Sequence, residues 1–231
     1  MRDFITFNFF IIGVYVAFSI GQLLLYIFTR RNRVNLFMAV LGIFAAIFLH
    51  FSSILHFTES IEHINSMLKY QISFYLLQMG MLFIVIHELN GRSKRNLFYV
   101  VMSFLAISLL LNFYLPNGVI YEKITGIERI SFFEIEYSLF LGTINSIYYP
   151  LVIVSYLLFL SFLIVHVIFA SNQKENERKL IFFAITGIYL LSNIYDVLID
   201  LRIFKGVFLT EYFMLPVLLL LNLVQLLRSV F

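Results

Sequence analysis

The sequence predicts an all-α integral membrane bundle of seven transmembrane helices, folded as a single domain over residues 1–231. The composition is the first reason, because 61% of the residues are hydrophobic and only 13% are charged, whereas soluble domains carry about 25% charged residues. The second reason is a series of apolar runs, each near the roughly 20 residues that a helix needs to cross a bilayer. The third is that basic residues collect after alternate runs.

The apolar runs follow one another along the whole chain. They cover about residues 4–28, 34–56, 67–88, 96–115, 144–170, 180–199 and 207–227. Most connections are short, which favours antiparallel neighbours in a helical bundle. Pro150 and Pro216 fall within apolar runs, and each is expected to kink its helix because proline removes a backbone hydrogen bond.

The basic residues predict the orientation of the bundle. Nine of the sixteen Lys and Arg residues follow the first, third and fifth runs. They are Arg30, Arg31, Arg33, Arg92, Lys94, Arg95, Lys174, Arg178 and Lys179. The positive-inside rule places these clusters in the cytoplasm, so we expect the N-terminus outside, the C-terminus in the cytoplasm and a multi-pass protein of the cell membrane.

One long connection, residues 116–142, separates the fourth and fifth runs and is expected on the extracytoplasmic side. Its segment VIYEKITGIERISFFEIEY places aromatic and β-branched residues around a glycine, a pattern typical of a short β-hairpin. The segment is either a solvated linker or an outer lid over a pocket, since long ordered loops between packed elements often bind ligands.

Polar residues concentrate at one depth, in the outer half of four runs. Asp196 and Glu211 are the most informative, because a carboxylate facing hydrocarbon is costly and is expected to face protein or water instead. The candidate ligand-binding residues at this depth are His50, Gln71, Gln78, Asn145, Tyr148, Tyr149, Asn193, Asp196 and Glu211.

Each candidate also has a structural interpretation. Amide side chains often join membrane helices by hydrogen bonds alone, and His56 and Glu211 could simply reach the headgroup layer. Asp196 follows Asn193 by one helical turn on the same face, so we expect Asp196 to line a pocket or to form a buried pair with His50.

A metal site is a third hypothesis. It would use His50, His56, Asp196 and Glu211 as zinc ligands in a membrane-embedded hydrolase. His50 and His56 are six residues apart and lie on different sides of a helix, and the sequence lacks HxxxH and HExxH pairs. Cysteine is absent, which excludes disulfides and thiolate ligands. We therefore predict no metal, no cofactor and no catalytic residue.

Three stretches carry a resemblance to a known family. They are GQLLLYIFTRRNRVNLFMAVLGIFAAIFLH, LKYQISFYLLQMGMLFIVIHELNGRSKRN and LTEYFMLPVLLLLNLVQLLRSV. Their layout resembles the N-terminal seven-helix sensor region of bacterial sensor histidine kinases and diguanylate cyclases. Lys69-Tyr70 fits the start of that family's third helix. Thr210 precedes Pro216 by a wider gap than in the family, and the third and sixth runs lack its prolines.

The resemblance implies a location in a bacterial inner membrane and a signal that alters the packing of seven helices. That change would pass through the seventh helix to a cytoplasmic output domain. No kinase histidine box or GGDEF sequence is present in the chain. No ligand-binding residue is transferred from the family.

We accordingly expect a non-enzymatic sensor or receptor that binds a small or lipid-like ligand in the outer half of the bundle. Its expected partners are membrane lipid, that ligand, and a cytoplasmic signalling domain or partner protein, with no nucleic acid. The ending LLNLVQLLRSVF has apolar residues at helical spacing, which would permit a homodimeric coiled coil. The alternative is a small-solute transporter, which would need polar residues through both halves of the bundle.

Overall fold

The computed structural model describes residues 2–29, 32–58, 60–89, 95–132, 135–169, 176–200, 203 and 208–230. These residues form seven α-helices and one antiparallel pair of strands. The helices are α1 (Arg2–Phe28), α2 (Arg33–Phe57), α3 (Ile61–Leu89), α4 (Arg95–Tyr114), α5 (Tyr149–Phe169), α6 (Asn176–Asp200) and α7 (Met214–Val230). Each predicted apolar run therefore contains one helix.

Four helices, α1 to α4, are long and apolar enough to cross a membrane. Their apolar stretches run over Ile5–Phe28, Arg33–Phe57, Ile61–Leu89 and Arg95–Tyr114. Helices α5, α6 and α7 are apolar over shorter stretches of 10–17 residues. Large apolar side chains are exposed on the outside of the bundle, among them Phe10 and Leu110. An exposed apolar surface of this extent is typical of a protein that lies in lipid.

Helices that are neighbours in sequence pack side by side from α1 through α6. Helix α3 is the most buried of the four long apolar helices, with 72% of its apolar stretch inside the bundle against 22% for α1 and α4. Phe83 on α3 illustrates this packing, since its ring centroid lies 5.1 Å from that of Phe98 and 4.0 Å from that of Phe162. Helix α3 therefore lies inside the bundle, in contact with α2, α4 and α5.

The structure differs from the sequence prediction at the two proline-containing runs. Helix α5 begins at Tyr149 and α7 at Met214, so Pro150 and Pro216 lie in first helical turns. Proline is well tolerated there because no hydrogen bond within the helix needs its missing N–H. The predicted kinks within helices are wrong. A separate 3₁₀ turn, Leu209–Glu211, precedes α7.

The β-hairpin predicted in the long connection is confirmed, and it adds strands to an otherwise all-α fold. Strand β1 (Tyr121–Phe132) pairs antiparallel with β2 (Ile135–Ile144). The hairpin packs against α2 and α3. It is anchored by buried Asn112 of α4, which donates to Lys69 O at 2.8 Å and to Ser73 Oγ at 2.9 Å. The side-chain oxygen Asn112 Oδ1 accepts from Val119 N at 3.1 Å, just before β1.

Candidate functional site

A cavity of about 540 Å³ lies between α2, α3, α5, α6 and the hairpin. Most of its wall is apolar, with side chains such as Leu76 of α3 and Leu160 of α5. A smaller set of polar groups also reaches it, and this set is Gln71, Ser138, Tyr149, Asn193, Asp196 and Thr210. A mostly apolar cavity with a few placed polar groups is the usual form of a small-molecule site.

Four of the nine predicted ligand-binding residues line this cavity: Gln71, Tyr149, Asn193 and Asp196. The amide nitrogen of Gln71 donates to Ser52 Oγ at 2.6 Å. The amide nitrogen of Asn193 donates to the backbone carbonyl of Tyr189 at 2.7 Å. The Gln71 side chain is therefore held by the neighbouring helix α2, and the Asn193 side chain by its own helix α6.

Asp196 joins α6 to the segment that leads into α7. Its carboxylate accepts from Leu209 N at 2.6 Å and from Thr210 N at 3.0 Å, and it also accepts from Thr210 Oγ1. These bonds satisfy the first amides of the 3₁₀ turn in the way that an N-cap residue satisfies the start of a helix. Asp196 is 7% exposed, so three donors compensate the burial of its carboxylate.

His56 makes a second set of contacts next to the hydrogen bonds of Asp196. Its Nε2 lies 3.1 Å from Glu211 Oε1, and both side chains are buried. Ser138 N donates to His56 Nδ1 at 3.4 Å, and Ser138 Oγ donates to His56 O at 3.1 Å. Since Nδ1 accepts, we assign the imidazole proton to Nε2, which donates to the carboxylate. His56 therefore connects α2, strand β2 and the 3₁₀ turn.

The structure corrects the prediction for His50. His50 is exposed on α2, lies beside the ring of Phe51 and is not among the described residues that line the cavity. Residues six apart on a helix differ by about 120° around its axis, so His56 faces the bundle where His50 does not. The buried acid–histidine pair consequently joins His56 to Glu211 rather than His50 to Asp196. The interpretation in which His56 and Glu211 reach the headgroup layer is also wrong.

The other predicted residues lie outside the cavity wall. Asn145 accepts through Oδ1 from Ile147 N and Tyr148 N, each at 3.1 Å, and so caps the chain just before α5. Tyr148 packs against the hydrophobic core. Gln78 of α3 is 1% exposed, and neither amide atom has a hydrogen-bond partner within the described part of the chain.

The segment just before α7 is joined to α1 and α2 by residues that were not among the predicted site residues. Tyr212 Oη donates to Asn8 Oδ1 at 2.6 Å, and Asn8 Nδ2 donates to Ser53 Oγ at 2.9 Å. Asn8 is fully buried. A lone asparagine in the apolar first run was the available signal for this contact.

The middle and second half of α7 are joined to the same two helices. Gln22 Nε2 of α1 donates to Asn222 Oδ1 at 3.1 Å. Gln225 Nε2 donates to Asn35 Oδ1 of α2. Side-chain hydrogen bonds therefore hold both the segment before α7, which lies beside the cavity, and the middle of the helix itself.

The zinc hypothesis required its histidines and acids to converge. Among the described residues, no group of three His, Asp or Glu side chains is placed to hold a metal ion.

A scan against protein-family models finds no matching family, and searches of curated proteins and of solved structures find no match. The cavity and its contacts are therefore the observations that bear on the function of this chain.

Proposed function

We propose that this chain is a membrane-embedded sensor module that binds a small or lipid-like ligand in the cavity and transmits a conformational change through α7. The observation that carries the proposal is the position of Asp196 and Thr210. Both line the cavity, and their hydrogen bonds hold the segment that leads directly into α7. A ligand that contacts either residue acts on the start of α7.

The proposal includes seven membrane crossings in a bacterial inner membrane, with the hairpin outside and the end of α7 in the cytoplasm. Exposed apolar side chains on α6 and α7 support crossings by these shorter helices, such as Phe183 at 65% and Leu219 at 60% exposure. Helix α7 has 17 residues, which span about 25 Å at 1.5 Å per residue. The preceding 3₁₀ turn extends α7 toward the roughly 30 Å of a bilayer core.

The hairpin serves as an outer lid in this proposal. Ser138 and Phe140 of β2 contribute to the cavity wall, and Ser138 is bonded to His56. His56 in turn holds Glu211. Closure of the lid over a ligand is therefore linked by direct hydrogen bonds to the turn that precedes α7.

The start of α7 is held more strongly than the rest of the helix. Just before α7, bonds to the buried carboxylates of Asp196 and Glu211 are charge-assisted and strong. In the middle of α7, amide pairs such as Gln22–Asn222 are worth only about 0.6 kcal/mol each in membrane proteins. A displacement at the start of α7 is thus transmitted to a helix whose remaining polar contacts can exchange partners. Ligand shifts this equilibrium by its unequal affinity for the two packings.

The output is a cytoplasmic signalling domain or partner protein that contacts the end of α7, and a second copy of the chain is a further candidate partner there. The resemblance to sensor regions of bacterial histidine kinases and diguanylate cyclases agrees with this arrangement. The role requires no catalysis by this chain.

Filling the cavity tests the proposal without knowledge of the ligand. Leu157 lines the cavity, and Leu157→Trp adds bulk there. The matched control is Leu110→Trp, at an exposed position of α4 that does not line the cavity. The chain has no cysteine, so spin labels at Tyr99→Cys and Leu226→Cys report the distance between α4 and the inner part of α7.

We expect Leu157→Trp to shift the Tyr99–Leu226 label distance by an amount on the order of 1–2 Å, and Leu110→Trp to leave it unchanged. Identical distance distributions in both variants would refute the coupling. Solute uptake into liposomes that is blocked by Leu157→Trp would instead support the transporter alternative.

A further inference from the structure

Aromatic rings surround the cavity from several elements. Phe48 comes from α2, Tyr75 from α3, Tyr121 from β1, Phe140 from β2, Tyr149 from α5 and Tyr189 from α6. The face of an aromatic ring carries negative electrostatic potential and attracts cations, most strongly where water is excluded. A wall with this many rings favours a positively charged group over an anion.

The only acidic side chain among the described lining residues is that of Asp196, and the same residues include no Lys, Arg or His. Its carboxylate accepts hydrogen bonds from Leu209 N and Thr210 N, which offset part of the cost of its burial. The neighbouring acid Glu211 is already paired with His56. The cavity therefore contains a carboxylate whose charge is not balanced by a basic residue of the described wall.

The size and remaining chemistry of the cavity define the rest of the ligand. Its volume of about 540 Å³ lies within the range of roughly 300–1,000 Å³ typical of sites for drug-sized molecules. The wall is otherwise aliphatic, with side chains such as Ile72 and Val152. We infer that the cavity binds an amphiphilic organic cation, with one ammonium group on an apolar body. This inference rests on the proposed function and specifies the ligand class for that site.

The access route fits an amphiphile. Ile153 and Leu157 line the cavity and are also 40% and 56% exposed on α5. They are four residues apart and therefore share one face of the helix. An amphiphile whose apolar body lies in the bilayer can enter beside this face.

The test compares three eight-carbon probes that differ in charge: octyltrimethylammonium, 1-octanol and octanoate. The full chain is placed in phosphatidylcholine nanodiscs, and binding is measured by calorimetry with empty nanodiscs as the reference for partition into lipid. We expect octyltrimethylammonium to bind about tenfold more tightly than 1-octanol. Octanoate is expected to bind most weakly, because Asp196 repels it.

Asp196→Asn then isolates the charge, since asparagine keeps an acceptor oxygen for the 3₁₀ turn. We expect this variant to reduce the preference for the ammonium over the alcohol to less than about threefold. Glu62→Gln is the matched control, because Glu62 is an exposed acid on α3 outside the cavity wall. Tyr189→Leu, which removes one ring, is a second variant and is expected to weaken ammonium binding selectively.

Binding of 1-octanol or octanoate at least as tight as that of the ammonium would overturn the inference, as would no binding of any probe. An unchanged preference in both Asp196→Asn and Tyr189→Leu would also overturn it. The spin-label test with Leu157→Trp uses no ligand, so a failure of the ligand class is distinguishable from a failure of the coupling between the cavity and α7.

Discussion

His56 Nε2 and Glu211 Oε1 lie 3.1 Å apart although 155 positions separate them in sequence. This hydrogen bond joins α2 to the turn before α7, and it is buried where water cannot replace either partner. A buried carboxylate that loses its donor is strongly destabilised. The pair therefore fixes where the seventh helix starts relative to the bundle.

Removal of the His56 imidazole should destabilise the fold. We expect His56→Ala to lower the free energy of unfolding by about 3 kcal/mol, measured by denaturant titration in micelles. The control His50→Ala removes an exposed histidine from the same helix and should change it by less than about 0.5 kcal/mol. A double-mutant cycle with Glu211→Ala should show a coupling of about 1–3 kcal/mol, and additive effects would contradict the pairing.

Ser138 should control the docking of the hairpin. Ser138→Ala removes the donor to His56 O, and we expect a loss of about 1 kcal/mol in local stability. Hydrogen exchange of the β2 amides should become about fivefold faster. Ser103→Ala, at an exposed position of α4, should leave these exchange rates unchanged. Equal exchange in both variants would show that the hairpin does not depend on this contact.

Asp196 should stabilise the turn before α7 through its acceptor oxygens. We expect Asp196→Ala to destabilise the protein by about 3 kcal/mol and Asp196→Asn by about 1–2 kcal/mol, because asparagine keeps an acceptor oxygen for only one of the two backbone amides. Thermal unfolding in nanodiscs measures this difference. Ser161→Ala on the exposed side of α5 is the control. Equal losses in the alanine and asparagine variants would mean that the turn depends on charge alone.

The helices and the hairpin could be predicted from the sequence because hydropathy and turn chemistry are local properties. The apolar runs locate the helices α1 and α2 to within a few residues, and the glycine-centred segment indicates the strands. The residue at which α7 begins was harder to predict from the sequence. Pro216 does not reveal on its own whether it interrupts a helix or begins one, since both depend on what caps the preceding residues.

Which polar residues pair with one another could not be predicted from local sequence in the same way. Depth in the membrane correctly placed Gln71, Asn193 and Asp196 at one cavity. It could not decide between His50 and His56, because the rotation of α2 is set by packing against α1 and α3. Asn145 likewise has a role in capping that depends on where α5 begins.

The amide pairs Gln22–Asn222 and Asn35–Gln225 along α7 should restrict the motion of this helix more than they stabilise the fold. We expect Asn222→Leu to cost about 0.6 kcal/mol or less but to broaden the distribution of distances between spin labels at Tyr99→Cys and Leu226→Cys. The broadening follows from the loss of the bond to Gln22. Asn96→Leu, at an exposed position of α4, should not broaden it. A distance distribution in Asn222→Leu that stays narrow would show that the Gln22–Asn222 bond does not restrict α7.

The most direct test of the account is the side of the membrane on which the hairpin and the end of α7 lie. The chain has no cysteine, so Thr125→Cys, Asn96→Cys and Ser229→Cys can each be labelled with a membrane-impermeant maleimide in intact cells. We predict that only Thr125→Cys is labelled in intact cells, and that Asn96→Cys and Ser229→Cys react after permeabilisation. Labelling of Thr125→Cys and Ser229→Cys from the same side would contradict a signal that crosses the membrane through α7.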